Sequence, residues 1–247
     1  MQNVHVGTPK SLLLNVDFKS LEVVTAAYLS QDEIMCAEVR NGVDFHGLNQ
    51  EKFNLPERTI AKNLMFRIIY GGSQFSQDSK FFHVSKSQQF WDKVIEEFYE
   101  KYVGLHEWHT NLMREVTLKG CITMPTGRFY SFSPDRGRWP RSQILNYPVQ
   151  GLAADLVSIA RVSLSRRLKE AKLSSLMVST IHDSIILDVV NDKDVIAENF
   201  RIMKAVIDDV PSNFEKLFKV KFNLPLRGDF SMGQTKGNMN EYSDHQD

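Results

Sequence analysis

Apolar positions in this chain fall into two patterns: short unbroken runs, and longer stretches that repeat every three to four residues. Leu12-Leu13-Leu14-Asn15-Val16 is a run too short for a helix and free of breakers, so it predicts a buried strand. Two β-rich runs, Met177–Ile181 and Ser184–Val189, flank His182-Asp183 and predict a hairpin carrying that dipeptide at its tip. Strands are expected near 10–17, 120–124, 127–132, 176–182, 184–190 and 224–230. Helices are expected at roughly 19–30, 57–70, 86–117, 147–171 and 192–209. Within 86–117, Phe90, Trp91, Ile95, Phe98 and Tyr102 form an apolar stripe suited to a core face. The mixture predicts an α/β chain in the broad sense, of the α+β kind, with no internal repeat.

One predicted helix carries a second stripe. Arg58, Lys62, Phe66 and Tyr70 follow one another at intervals of four. A step of four residues drifts by only about 40° around a helix, so these side chains share one slowly winding face. Two cations can hold a polyphosphate, and two rings offer stacking surface to a base and its sugar. The plainer alternative is a core face with solvated flanks.

Two acids sit where strands meet turns: Asp17 after the first apolar run, and Asp183 at the hairpin tip. A carboxylate closing a buried strand is costly to leave without a counter-charge. Two of them beside a phosphate-gripping helix suit a pair of Mg²⁺ ions, which prefer carboxylate and phosphate oxygens.

These segments, in this order, resemble motifs A, B and C of the family A (polymerase I-like) DNA polymerases. Motif A matches Asp17-Phe18-Lys19-Ser20-Leu21-Glu22, continuing through Ala27-Tyr28-Leu29-Ser30 to Asp32. Motif B matches the helix from Arg58 to Gly71, and motif C matches Ile181-His182-Asp183-Ser184. Asn146-Tyr147-Pro148-Val149-Gln150-Gly151 matches a fourth family segment, and Thr126-Gly127-Arg128 a weaker fifth. The resemblance implies a palm with an antiparallel sheet and helical fingers. It divides the chain into palm at 1–45, fingers at 46–125 and palm again at 126–247.

The resemblance also implies roles. Asp17, Asp183 and the main-chain carbonyl of Phe18 would hold two Mg²⁺ ions. Arg58 and Lys62 would contact the incoming triphosphate, with Lys62 a candidate proton donor to pyrophosphate. Phe66 would lie against sugar and base, Tyr70 would close the pocket, and Gly71 would let the helix end. Glu22 matches the residue that excludes a 2′-hydroxyl, and Phe66 is the deoxynucleotide-type residue. Both favour DNA synthesis. Ser184 stands where bacterial enzymes commonly have Glu, as it does in the single-subunit RNA polymerases, which supply the alternative reading. A catalytically silent DNA- or partner-binding subunit is a third, against which Asp17, Asp183, Arg58 and Lys62 are all present.

Asn146 and Gln150 lie one helical turn apart, so their amides project together. Amides that both donate and accept suit the minor groove, whose acceptors are similar for every base pair; a pair of helix-capping amides is the alternative. His182 is expected at the primer terminus. Arg128 is expected on the DNA backbone; Arg136, Arg138 and Arg141 form a basic cluster suited either to that backbone or to a solvated loop. His106 and His109 lack further ligands nearby in sequence and are expected to be ordinary structural or exposed histidines.

Charge and composition refine this picture. Lys and Arg number 30 against 30 Asp and Glu, so the net charge is zero with neutral His. A self-sufficient duplex binder is usually basic, which suggests that part of the DNA grip lies outside this chain. Only sixteen residues precede Asp17, whereas the family places a thumb and often a 3′–5′ exonuclease upstream. The expectation is a fingers-and-palm part without a thumb, either a fragment or, as the favoured reading, one subunit of a split polymerase working on primer–template DNA and dNTPs beside a second chain, in a phage-like replication system. Cys36 and Cys121 imply no disulfide framework. With no long apolar run and no leader pattern, a soluble intracellular protein, in a phage-infected host cytoplasm, is expected.

Overall fold

The computed structural model describes residues 10–72 and 86–243. Of the acidic C-terminal stretch 241–247, residues 244–247 lie outside them. The chain divides into two compact units, residues 1–21 with 153–247 and residues 22–152.

The first unit is built on a five-stranded antiparallel sheet ordered β4-β5-β1-β6-β7. Its strands are β1 (Ser11–Phe18), β4 (Leu176–Ile181), β5 (Ser184–Val190), β6 (Gly228–Gly233) and β7 (Asn240–Glu241). Leu13, Leu14, Val16 and Phe18 of β1, and Ile185, Ile186, Leu187 and Val189 of β5, are buried, as continuous apolar runs require of central strands. Helix α8 (Lys193–Phe218) packs against β1 and β5. It continues past the predicted end near 209 and through Pro211, because Val210 and Phe214 are fully buried anchors on either side. Asp192 caps its start by accepting from the Asp194 and Val195 amides.

The second unit is helical: α1 (Leu21–Ser30), α2 (Glu33–Asn41), α3 (Phe45–Lys52), α4 (Arg58–Ile69), α5 (Gln88–Lys101), α6 (Val103–Lys119) and the first part of α7 (Arg141–Glu170), with a small ribbon of β2 (Cys121–Thr123) and β3 (Phe129–Ser131). Helices α2 and α3 were not expected from the sequence; each is short and opens on an Asp cap, Asp32 and Asp44. The single helix expected at 86–117 is two, broken at Tyr102. Asp32 explains the break, since its carboxylate accepts from the amides of Met35 at 2.8 Å and Gly104 at 2.7 Å, capping α2 and the start of α6 together. The core line of α5 is Trp91, Val94, Phe98 and then Tyr102, so Phe90 and Ile95 of the expected stripe are only half-buried. Helix α7 starts at Arg141 rather than near 147 and carries Pro148 inside it. Pro148 forgoes one intrahelical bond, but Ile144, Leu145, Val149 and Leu152 are fully buried along the same face and hold the helix through it.

Candidate active site

The sheet unit places its acids by main-chain pairing. Asp17 lies opposite Ser184 of β5 on one side and Asp229 of β6 on the other. The Phe18 amide donates to the Asp183 carbonyl at 2.9 Å, so the backbones at both predicted metal-binding positions are tied directly. Phe18 itself is buried in the core. The β4–β5 hairpin turns on His182-Asp183 as expected, with His182 exposed at φ +54°, a left-handed conformation that His adopts more readily than most residues. Ser184 is buried and donates to the Ile181 carbonyl at 3.0 Å. It fastens the hairpin and presents no carboxylate.

One expectation needs correction. The strand under Asp17 is buried, but Asp17 is exposed and Asp183 half-buried. Strand alternation turns Asp17 outward while its neighbours Val16 and Phe18 turn in, so Asp17 does not carry the burial cost expected of a carboxylate closing a buried strand. Asp229, which the sequence did not single out as a site residue, lies directly across from Asp17, and like charges so placed repel. Lys19 sits 3.7 Å from Asp229, an exposed pair worth under about 1 kcal/mol. Among the described residues no three His, Cys, Asp or Glu side chains close into a ready cage. Mg²⁺ seldom uses one: one or two carboxylates plus substrate phosphates suffice. An oxygen-only pair, Asp17 and Asp183, on tied strand ends fits that ion.

The helical unit resolves the question of the α4 stripe. The core face of α4 is Ile60, Ala61, Leu64, Met65, Ile68 and Ile69, all at most 2 % exposed. Arg58 and Lys62 are exposed, and Phe66 and Tyr70 half-buried, on the other face. The stripe is therefore no core face. Phe66 and Tyr70 stack with centroids 6.4 Å apart and planes 15° off parallel, and the Lys62 ammonium lies 5.7 Å from the Phe66 ring. The helix ends as expected at Gly71, whose φ of +76° a side chain would strain; a Cβ there would also meet Leu145 at 2.6 Å.

Three segments meet at Tyr70. Its hydroxyl is hydrogen-bonded to Gln150, while burial and then the Glu22 carboxylate push its pKa well above the ordinary phenol value. Asn146 and Gln150 lie inside α7, not at its start, so they do not cap it. A Cβ on Gly151 would collide with the Tyr130 hydroxyl and sit 3.1 Å from Arg128, so glycine lets the β2–β3 ribbon close onto α7 beside Gln150. Arg128 is exposed. Of the basic cluster, Arg136 and Arg138 are exposed around a tight turn, while Arg141 is hydrogen-bonded to Tyr99. Tyr99 also bonds the ring of buried His109 at 3.0 Å and stacks on His106, giving both histidines structural partners.

Two residues that the sequence reading passed over join the stripe. Asp44 and His46 open α3, and both reach α4. Asp44 takes a forked pair of bonds from Arg58, 3.0 Å from Nε and 2.7 Å from Nη2, which with the Gly47 and His46 amides holds its pKa down at about 2. His46 is buried, edge-on to Phe66 at 5.6 Å, and burial and the Arg58 and Lys62 charges lower its pKa to about 4. The available signal was the Asp-Phe-His order at a helix start, which by itself marks only a cap.

The geometry sets two cations and two rings on one outward helix face in one unit, and two acids on tied strand ends in the other. The fold matches that of the POL domain of Pol1 from M. smegmatis, solved in complex with DNA primer-template and dNTP, with a TM-score of 0.79 at 18 % identity over 95 % of this chain and 42 % of that one. DNA polymerase I of Lactococcus lactis subsp. cremoris is 28 % identical over 95 % of this chain and 27 % of its own length. That of Geobacillus stearothermophilus is 25 % identical over 92 % and 26 %. The model of DNA polymerase family A matches residues 1–238. The chain belongs to DNA polymerase family A. It spans about a quarter of the length of the polymerase I relatives it matches.

Proposed function

We propose that this chain is the fingers-and-palm part of a DNA-directed DNA polymerase, extending a primer 3′-hydroxyl with deoxynucleotides. The observation that carries the reading is the outward face of α4, where Arg58, Lys62, Phe66 and Tyr70 stand clear of a separate apolar core face. Arg58 and Lys62 would grip the triphosphate, and Lys62 would donate a proton to the departing pyrophosphate. Phe66, with its ring already parallel to Tyr70, would lie against the sugar and base. Glu22, beside Tyr70, would leave no room for a 2′-hydroxyl, which selects DNA over RNA precursors.

Asp17 and Asp183, with the Phe18 carbonyl, would hold two Mg²⁺ ions. Bound there, the ions would lower the pKa of the primer hydroxyl and steady the leaving phosphates. Phosphoryl transfer asks the remaining side chains mainly for position and charge. Asn146 and Gln150 would read the minor groove of the newest base pairs, with Arg128 on the backbone and His182 at the primer terminus. A second chain would supply thumb and exonuclease, as in a split phage-type enzyme. No helix among the described residues is long and apolar enough to cross a membrane.

The test is nucleotide incorporation on a primed template by the protein isolated with the chains that accompany it. The expected result is template-directed extension with dNTPs and Mg²⁺, and a thumb-bearing partner in the purified material. Absence of extension, or extension by ribonucleotides alone, would overturn the reading; full-rate processive synthesis by this chain by itself would overturn the second-chain part.

A further inference from the structure

Arg58 is the first residue of α4, more than half exposed, on a helix whose N-cap residue Glu57 makes no side-chain capping bond. A long cation in that position ordinarily samples many rotamers and loses about 2 kcal/mol of rotamer freedom when held. Here it is already held. Asp44 offers a carboxylate on a side chain with only two torsions, and that carboxylate is itself fixed as the cap of α3. Oδ1 accepts from the His46 amide at 3.2 Å and from Arg58 Nη2, and Oδ2 accepts from Arg58 Nε. Gly47 keeps the space open, since a Cβ there would sit 2.7 Å from Asp44 Oδ2. Helices α3 and α4 pack on each other, so the cap and the guanidinium share one frame.

An acid on a phosphate-binding cation could be a competitor or a guide. The donor count decides. A guanidinium has five N–H donors; the fork uses one on Nε and one on Nη2. Three remain, on the outer side of a planar group whose orientation is set. A phosphate can bind without evicting Asp44, and the exposed pair is itself worth at most about 1 kcal/mol.

We propose that Asp44 is a positioning residue for the triphosphate site, acting through Arg58 by presenting three of its N–H donors in a preset plane. This rests on the reading of α4 as the triphosphate face. Asp44 touches neither substrate nor metal in this scheme, and its effect falls on nucleotide affinity rather than on the chemical step.

The test is the affinity of the chain for dATP with Mg²⁺ by calorimetry, with KM and kcat for single-nucleotide incorporation by the assembled enzyme, in Asp44→Asn, Arg58→Ala and the double variant. Asn caps a helix as well as Asp but cannot offer two charged oxygens to the fork; Asp44→Ser, also a good cap, is the second variant. Both are expected to weaken dATP binding and raise KM between about twofold and tenfold, the cost of ordering one long side chain. Melting temperature and kcat should hold, and neither change should add to Arg58→Ala. Unchanged or tighter binding in both Asp44 variants, or an equal loss in the Arg58→Ala background, would overturn the proposal while leaving the α4 reading intact. No binding by the unaltered chain, or binding indifferent to Arg58→Ala, would overturn both.

Discussion

The end of the sheet and the outer face of α4 hold their candidate functional side chains by opposite means. At the sheet end, the ladder does the placing: Asp17 is opposite Ser184 and Asp229 by register, and the Phe18 amide is bonded to the Asp183 carbonyl. The side chains themselves project into solvent or sit half-exposed. On α4 the backbone supplies only the spacing. Position there comes from side chain on side chain, with Asp44 on Arg58, His46 on Phe66, Phe66 on Tyr70 and Gln150 on Tyr70. A carboxylate pair that takes cations would gain from staying exposed until they arrive, whereas a face that takes a nucleotide would gain from being assembled beforehand.

The largest effect should come from the sheet end. Asp183→Ala in the assembled enzyme is expected to lower incorporation at least about a thousandfold, as removal of one member of a catalytic unit does. Primer–template affinity and folding should hold, because the carboxylate is not part of the ladder. Incorporation that survives would break the assignment.

Next in size is a change behind the helix face. Leu64→Ala, at a site 1 % exposed under the stripe, is expected to cost about 2–5 kcal/mol of stability. The measurement is chemical denaturation. A loss under about 1 kcal/mol would mean that α4 is not seated by this core.

Acid should separate the two regions further. His46 and His109, both in the helical unit, have pKa values lowered to about 4 and about 3, burial being the main cause. In the unfolded chain each takes a proton near pH 6.5. Below that pH the unfolded state binds more protons than the folded one. Stability is therefore full above about 6.5 and falls as pH drops toward 4, by up to about 1.4 kcal/mol per pH unit for each ring. Amide exchange at pH 7.5 and 5 should show the helical unit loosening before the sheet; His46→Gln should remove part of that slope. Equal loosening of both units would remove the distinction.

The smallest effect concerns choice of sugar. Glu22→Ala is expected to raise ribonucleotide use several-fold relative to deoxynucleotides, of the order that loss of one steric or polar contact produces, measured by competing substrates. An unchanged ratio would take sugar selection away from Glu22.

Much of this was legible beforehand because local rules govern it. The hairpin at His182-Asp183 follows from two β-rich runs with a dipeptide between them, and the α4 stripe follows from a spacing of four. The end of α4 at Gly71 follows from the one residue tolerant of a positive φ. What the residue pattern misplaced depends on distant partners. Asp32 splits the expected helix at Tyr102 from a position seventy-two residues before Gly104, and Pro148 stays inside α7 because buried neighbours outweigh its missing bond.

The sequence by itself determined the chemistry on offer: two acids at strand ends, and two cations and two rings on one helical face. Those depend on residue type and period, which are local properties. Only the tertiary structure decided which face of α4 is core, that Asp17 is solvated, and that Asp44, His46, Glu22 and Gln150 join the stripe. Those are long-range packing outcomes, set by how helices and strands far apart in the chain bury their apolar sides against one another.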